Sequence, residues 1–286
     1  MVSVSSLGFF SSVRRRIPVR ELRNYTWAQA DSLVCETLEP IVCRLAFHKW
    51  APVQHWTKEY LAARIGNQSV QVAISACPEF PSLDTSGPDH VTLTIDELLT
   101  RLGTSSPPWH YLNGGTTFFN YGTSSPAIAA LLDDIRMDEA LAPDLLVKSA
   151  LWISGNGALS RLHFDGNGCH NLNIQVAGQK EFLLVAPSDA AHLQLVDDPA
   201  NRALSHFSRI ENTATDPNNA LPAGVSYWHC ELNPGDTLVI PALWFHTVRS
   251  TGAFNVNVNY WSIAGQGYLG RLLSKLCTQP FGPGTP

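Results

Sequence analysis

The chain reads as a mostly β protein, an antiparallel sandwich or barrel with a helical N-terminal part packed against it. Three observations predict this. From residue 150 onward, short β-rich runs recur at 150–154, 161–165, 170–176, 180–186, 237–240, 245–249 and 253–261. Turn formers separate them, among them Gly155-Asn156-Gly157, Asp165-Gly166-Asn167-Gly168, Ala177-Gly178, Asn233-Pro234-Gly235-Asp236 and Ser250-Thr251-Gly252, as strands joined by tight connections require. Finally, 20 Gly and 19 Pro in 286 residues are too many for a helical bundle, while 44% apolar content supplies a sizeable core.

The N-terminal half has a different texture. Residues 25–37 and 56–65 read as helices. In the second, Trp56, Tyr60, Leu61 and Ile65 fall on one face and Gly66 is placed to stop it. Val70 to Ile74 alternates as a strand, and Ile95 to Leu102 is a short helix stopped by Gly103. Loops at 103–108 and 122–126 flank an aromatic segment, Trp109 to Phe119. Residues 188–227, rich in Pro, Asn and Asp, read as a long loop over one mouth of the barrel.

Charge narrows the function. The formal net charge is −5, but residues 1–23 hold five Arg against one Glu, so the remaining chain carries 14 basic and 23 acidic residues, −9. Such a body does not suit tracking along phosphates, and the expectation is no nucleic-acid partner. The longest nearly unbroken apolar run, Leu238 to Phe245, is far short of the ~20 residues of a membrane helix. Six scattered cysteines without a C-x-x-C point to reduced thiols in a cytosol-like compartment. The Ser- and Arg-rich start has the character of a mitochondrial presequence as well as of a flexible basic tail, the latter being the main expectation for residues 1–24.

The chemistry concentrates in His163-Phe164-Asp165. In a strand, residues i and i+2 share a face, so an imidazole and a carboxylate project together. With His246 as third donor, two His and one carboxylate leave open positions suited to a non-haem Fe(II) that binds O₂ and substrate. Lys180 opens the apolar strand Phe182-Leu183-Leu184-Val185. Pointing inward it would bind an anionic co-substrate, and pointing outward it is an ordinary strand-end lysine. Asn171 and Asn173, like Asn255, Asn257 and Asn259, alternate against aliphatics. The amides face either a polar cavity or water, and parity alone does not decide.

Together these segments resemble the jumonji-C/cupin-like family of Fe(II)/2-oxoglutarate oxygenases, closest in pattern to the branch that includes the asparaginyl hydroxylase of hypoxia-inducible factor. The motifs are Trp50-Ala-Pro52, Trp56-Thr-Lys-Glu-Tyr60-Leu61, Gly66 and Val70-Gln-Val72, then His163-x-Asp165, Asn171-x-x-x-Gln175-x-x-Gly178-x-Lys180 and Pro187. The closing block is Pro234-Gly235-Asp236, Ile240-Pro241-x-x-Trp244-x-His246 and Val258-Asn259-Tyr260-Trp261.

The resemblance implies a double-stranded β-helix of jelly-roll or cupin type, with N-terminal helices packed on it. One domain would cover 25–286: an α/β part 25–148, a barrel core 149–262 and a C-terminal helix and tail 263–286. It implies Fe(II) on His163, Asp165 and His246, and 2-oxoglutarate on Lys180, helped by Tyr111 and Ser160, where the family more often has Thr. Asn171 and Asn259 match amides near the metal. Between His163 and Asn171 the chain is about two residues longer than the asparaginyl hydroxylase pattern. Asn173, Asn257, Arg161 and His170 are the residues expected to meet a polar substrate, a peptide or protein side chain ahead of a small metabolite. A non-catalytic metal-binding cupin module is the reading from another class, and the intact set His163, Asp165, His246 and Lys180 argues against it. Leu269 to Leu276 reads as a short helix suited to a homodimer.

Overall fold

The computed structural model describes residues 16–23, 33–34, 36–81, 89–102, 107–135, 146–199, 202–278 and 281. In chain order the elements are β1 (Arg16–Pro18), β2 (Arg20–Leu22), β3 (Ile41–Cys43), α1 (Ala51–His55), α2 (Lys58–Ile65), β4 (Ser69–Ser75), β5 (Glu79–Phe80), β6 (Asp89–Thr94), α3 (Ile95–Arg101), β7 (Trp109–Asn120) and α4 (Leu132–Ile135). There follow β8 (Leu146–Ser154), β9 (Leu159–His163), β10 (Cys169–Ala177), β11 (Lys180–Val185), α5 (Pro217–Ala220), β12 (Tyr227–Leu232), β13 (Thr237–Ile240), β14 (Phe245–Ser250), β15 (Asn255–Ile263) and α6 (Gln266–Thr278).

Two sheets form the double-stranded β-helix of a cupin barrel. The larger runs β2-β3-β13-β10-β15-β8-β7-β4-β6 and the smaller β1-β12-β11-β14-β9-β5. The outer face of the large sheet carries Leu151, Leu172, Ile174, Val256 and Val258. These pack in one cluster with Trp56, Leu61 and Ile65 beside α2 and with Leu98 and Leu99 of α3. The helices are capped locally. Thr57 accepts from the Tyr60 N–H, and Thr94 with Glu97 forms a reciprocal capping box. With its aliphatic face covered by helices, the sheet turns its amides into the barrel.

Directly opposed residues of antiparallel strands share a face, so the register lays out the interior as rungs. Asn171, Trp261, Lys148 and Asn120 form the outermost that spans all four strands. Asn173, Asn259, Ala150 and Thr117 come next, then Gln175, Asn257, Trp152 and Asn113. The innermost holds Asn255, Ser154 and Tyr111.

Several expectations are corrected. The tail expected over 1–24 is described from residue 16, and there it is β1 and β2, because each finds a parallel partner strand in β12 and β3. The helix expected over 25–37 lies mostly outside the described residues. The segment 188–227 is not a simple lid. Leu193, Ile210, Leu221 and Val225 pack on Leu183, Val185 and Phe245, covering the outside of the small sheet. The C-terminal helix has 13 residues and not two turns, and it buries Tyr268 and Leu272 against its own barrel. Among the described residues, no helix is long and apolar enough to cross a membrane, and Cys43, Cys77, Cys169, Cys230 and Cys277 are free thiols.

The turn before β11 sets where Lys180 starts. Gly178 has φ +69°, and a Cβ there would lie 2.3 Å from the Phe254 carbonyl oxygen and 2.4 Å from Asn255 Oδ1. That Oδ1 accepts from the Gln179 N–H at 2.8 Å, so it cannot yield freely. Gly178→Ala should therefore cost about 1–3 kcal/mol, read as a lowered urea midpoint. An unchanged midpoint would show that the turn relaxes.

Candidate metal centre and co-substrate pocket

One donor atom each from His163, Asp165 and His246 lie within 4.8 Å of one another. His163 ends β9 and His246 lies in β14, directly opposite it in the register. Their rings are 4.3 Å apart, and His246 Nε2 is 3.9 Å from Asp165 Oδ2. Each Nδ1 donates to the carbonyl two residues back, His163 to Arg161 at 2.7 Å and His246 to Trp244 at 3.2 Å. That leaves each Nε2 lone pair for a metal, the orientation such backbone bonds enforce in metal sites. Burial, followed by the neighbouring His246, pushes His163 down to about 3 and keeps it neutral.

Asp165 does not sit on the strand with His163. The chain leaves β9 at His163, stays extended at Asp165 (φ −66°, ψ 129°), and makes one 3₁₀ turn over Gly166–Gly168 before β10. Asn171 Nδ2 donates to the Asp165 carboxylate at 2.8 Å, and Asn171 Oδ1 accepts in turn from Asn259 Nδ2 at 3.0 Å. The extra residues after Asp165 thus form a turn that brings Asn171 back beneath it.

At the other end of the same cavity, which measures about 420 Å³, stands Lys180. It is 3% exposed and has Nζ 6.0 Å from the Tyr111 ring and 5.9 Å from the Trp152 ring. Burial alone brings its ammonium down to about 7. Among the described residues no acid forms an ion pair with it. The Tyr111 hydroxyl, 3.5 Å from Ser160 Oγ, is pushed up to about 12 by burial and so remains a donor. The donor set suits Fe(II), and a buried ammonium lacking an acid beside two hydroxyls suits a carboxylate.

Ser160 and His163 both line this cavity although they are three residues apart. The reason is a bulge. Val248 opposes Ser160 and His246 opposes His163, so Arg161 and Leu162 share one partner position. Arg161 is thereby turned away from the cavity, and binds Glu79 at 2.9 Å and the Pro81 carbonyl at 3.3 Å. His170 also leaves the expected substrate set. It alternates with Asn171 to the opposite face, where its Nδ1 accepts from the Ala242 N–H at 3.1 Å and Tyr268 packs on its ring. Asn173 and Asn257 do line the cavity, tied together by Asn257 Nδ2 donating to Asn173 Oδ1 at 2.5 Å.

Residues that sequence reasoning missed are His206, Phe207, Lys148, Trp152 and Trp261. Phe207 stacks on His163 at 5.1 Å, because the segment 206–208 runs beside β9 with Ser208 N–H bonded to the Leu162 carbonyl at 2.8 Å. Nothing periodic in Leu204-Ser205-His206-Phe207 marks that docking. Lys148 stands over the Trp261 ring at 5.2 Å, and burial lowers its ammonium while Asp165 raises it.

The barrel with its His-x-Asp and distant His defines the class of cupin-type barrels with a candidate three-residue metal site. The chain belongs to the Cupin-like domain family, which it matches over residues 28–262. It is 29% identical over 224 residues to tRNA wybutosine-synthesizing protein 5 of Danio rerio, covering 73% of this chain and 64% of that protein. It is 30% identical over 269 residues to tRNA wybutosine-synthesizing protein 4 of Emericella nidulans, covering 88% of this chain and 24% of that one. Jumonji C domain-containing protein 5 of Drosophila melanogaster is 36% identical over 111 residues, 38% of this chain and 26% of that protein. The chain thus spans less than two thirds of each of these relatives. They give no particular support to the asparaginyl hydroxylase branch, and two names state tRNA, so family membership does not carry the exclusion of nucleic acid expected from charge.

The Asn171 contact generates a prediction. Removing the amide that holds a ligating carboxylate typically costs ten- to a hundredfold in metal affinity, so Asn171→Ala should weaken Mn(II) binding by about that factor. Calorimetric titration of metal-free protein measures it, and unchanged affinity would mean that Asp165 is held without Asn171.

Proposed function

We propose that the chain is an Fe(II)- and 2-oxoglutarate-dependent hydroxylase acting on an unactivated C–H of a polar substrate, a peptide or protein side chain ahead of a small metabolite. The observation that carries this reading is one cavity with a three-donor metal set at one end and a single buried ammonium at the other. Fe(II) with 2-oxoglutarate and O₂ supplies an oxidant able to take hydrogen from such a bond, releasing succinate and CO₂. The chain's own residues do the rest. Lys180, Tyr111 and Ser160 hold the far carboxylate, and His163, Asp165 and His246 leave metal positions open. Asn171 and Asn259 fix the Asp165 carboxylate. Phe207 and Trp152 supply apolar wall to the cavity.

Asp165→Ala should abolish both metal binding and 2-oxoglutarate-dependent succinate release while the protein stays folded by circular dichroism. Retained turnover would refute the ligand set. Lys180→Met should raise the 2-oxoglutarate requirement by about ten- to a hundredfold, the worth of a charge-assisted bond.

A pH signature accompanies Lys180. Its ammonium titrates near 7 in the absence of a counter-charge. A bound carboxylate favours the charged form, so binding takes up a proton above that pH and none well below it. Affinity for 2-oxoglutarate should therefore fall as pH rises from about 7 to about 9. Calorimetry in buffers of different ionisation enthalpy reads the proton uptake directly, and pH-independent binding would remove Lys180 as the anchor.

The motif likeness to the asparaginyl hydroxylase branch favours a peptide. The relatives named for tRNA wybutosine synthesis favour a second reading, a tRNA substrate, against which stands the acidic balance of the chain. Succinate release stimulated by a peptide pool and not by a tRNA pool supports the first reading, and the reverse supports the second.

A further inference from the structure

The outermost rung that spans all four strands holds a cation that the proposed co-substrate chemistry does not use. Lys148 is on the central strand β8, opposite Trp261 on one side and Asn120 on the other, in the same rung as the Asn171 that holds Asp165. Two rungs lie between it and that of Ser154 and Tyr111, at the deep end where Lys180 stands. The cavity therefore carries a lysine at each end, with Asp165 as the one acid in its lining. Among the described residues Lys148 forms no ion pair within 4.0 Å; it stands over the Trp261 face at 5.2 Å, and Asp165, already counted toward the metal, acts on it through space.

Charge accounting gives Lys148 a purpose. On the reading above, a divalent metal, Asp165, Lys180 and a dianionic 2-oxoglutarate sum to zero. Lys148 adds one positive charge in a partly desolvated place, where an uncompensated charge is costly. The other basic group expected near the substrate, Arg161, is committed to Glu79 outside the cavity. We propose that Lys148 is a specificity-determining residue that receives a carboxylate of the substrate at the cavity mouth, with Asn120 and the Trp261 ring as its flanks. A single carboxylate balances one lysine. A polyanionic phosphate chain would bring several charges to one cation on a protein of net charge −5. The inference rests on the proposed hydroxylase reading for the direction of entry.

The test uses full-length protein loaded with Mn(II) and an inert 2-oxoglutarate analogue, so that Lys180 is already occupied. Tryptophan fluorescence, for which Trp261 is the local reporter, follows titration with benzoate, benzamide and phenyl phosphate. A second arm uses a capped tripeptide with a central Glu and its Gln counterpart. Wild-type protein should favour acid over amide by about tenfold in at least one arm. Preference in the peptide arm marks a protein side chain as the source, and preference for benzoate alone marks a free organic acid. Lys148→Gln should erase the preference and Lys148→Arg should keep it, while both retain 2-oxoglutarate affinity by calorimetry. Equal binding of acid and amide by wild type, or a preference that survives Lys148→Gln, overturns the proposal. Tighter binding of phenyl phosphate than of benzoate overturns the carboxylate. The same titrations on metal-free Lys180→Met protein remove the deep cation altogether. The Lys148 result thus stands or falls separately from the co-substrate assignment.

Discussion

Strands β10 and β15 of the large sheet are buried on both faces, and the site follows from that constraint. One face satisfies itself by packing aliphatics under helices. The other is rich in amides, which are costly to bury without hydrogen-bond partners. Their Nδ2 groups find acceptors across the strands, while Asn257 Oδ1 and Asn259 Oδ1 have no partner among the described residues. Asn257 donates to Asn173 and to the Ile174 carbonyl, and Asn259 to Asn171, which donates to Asp165. The last amide in this chain has a carboxylate as its acceptor, so the position of the metal ligand is an outcome of how the sheet resolves its own polarity. Ligands held this way are aimed before any metal arrives, because the groups that orient them are part of the barrel wall.

The small sheet contributes by irregularity. A regular β9 would put Ser160 and His163 on opposite faces. The bulge between them brings both inward, one toward the carboxylate end and one toward the metal end. The same bulge expels Arg161 into a pair with Glu79. A single inserted position thus unites two parts of the site and discards a charge that would have competed with Lys180 for an anion.

These particulars show what a sequence can carry. Seven β-runs, the His-x-Asp, His246 and Lys180 are local patterns of alternation or motif, and the structure places them in one barrel with one cavity. The strands that escaped notice include β5, β6, β7 and β12 as well as β1, β2 and β3; the last three have three residues each and exist through pairing with distant partners, which no local period reveals. Arg161 was misplaced because parity assumes an unbroken strand. His170 was misplaced because nearness in sequence to Asn171 puts it on the opposite face. Lys148 is invisible for a third reason: a lysine in a strand becomes meaningful once the register sets Trp261 beside it.

Net charge acts on a different length scale from the site. Surface charges act through water and are screened within roughly 10 Å, so the acidic balance of this chain governs which large polyanions can approach. Inside the barrel the order is reversed. Lys180 and Lys148 outnumber Asp165, and they act at contact distance in a medium that screens them little. An acidic exterior and a cationic cavity are therefore compatible. On the proposed role of Lys148, their combination would favour small, singly charged groups over a run of negative charge. Discrimination of that kind is sharpest when the receiving group is buried, because a neutral analogue then leaves the lysine without its partner.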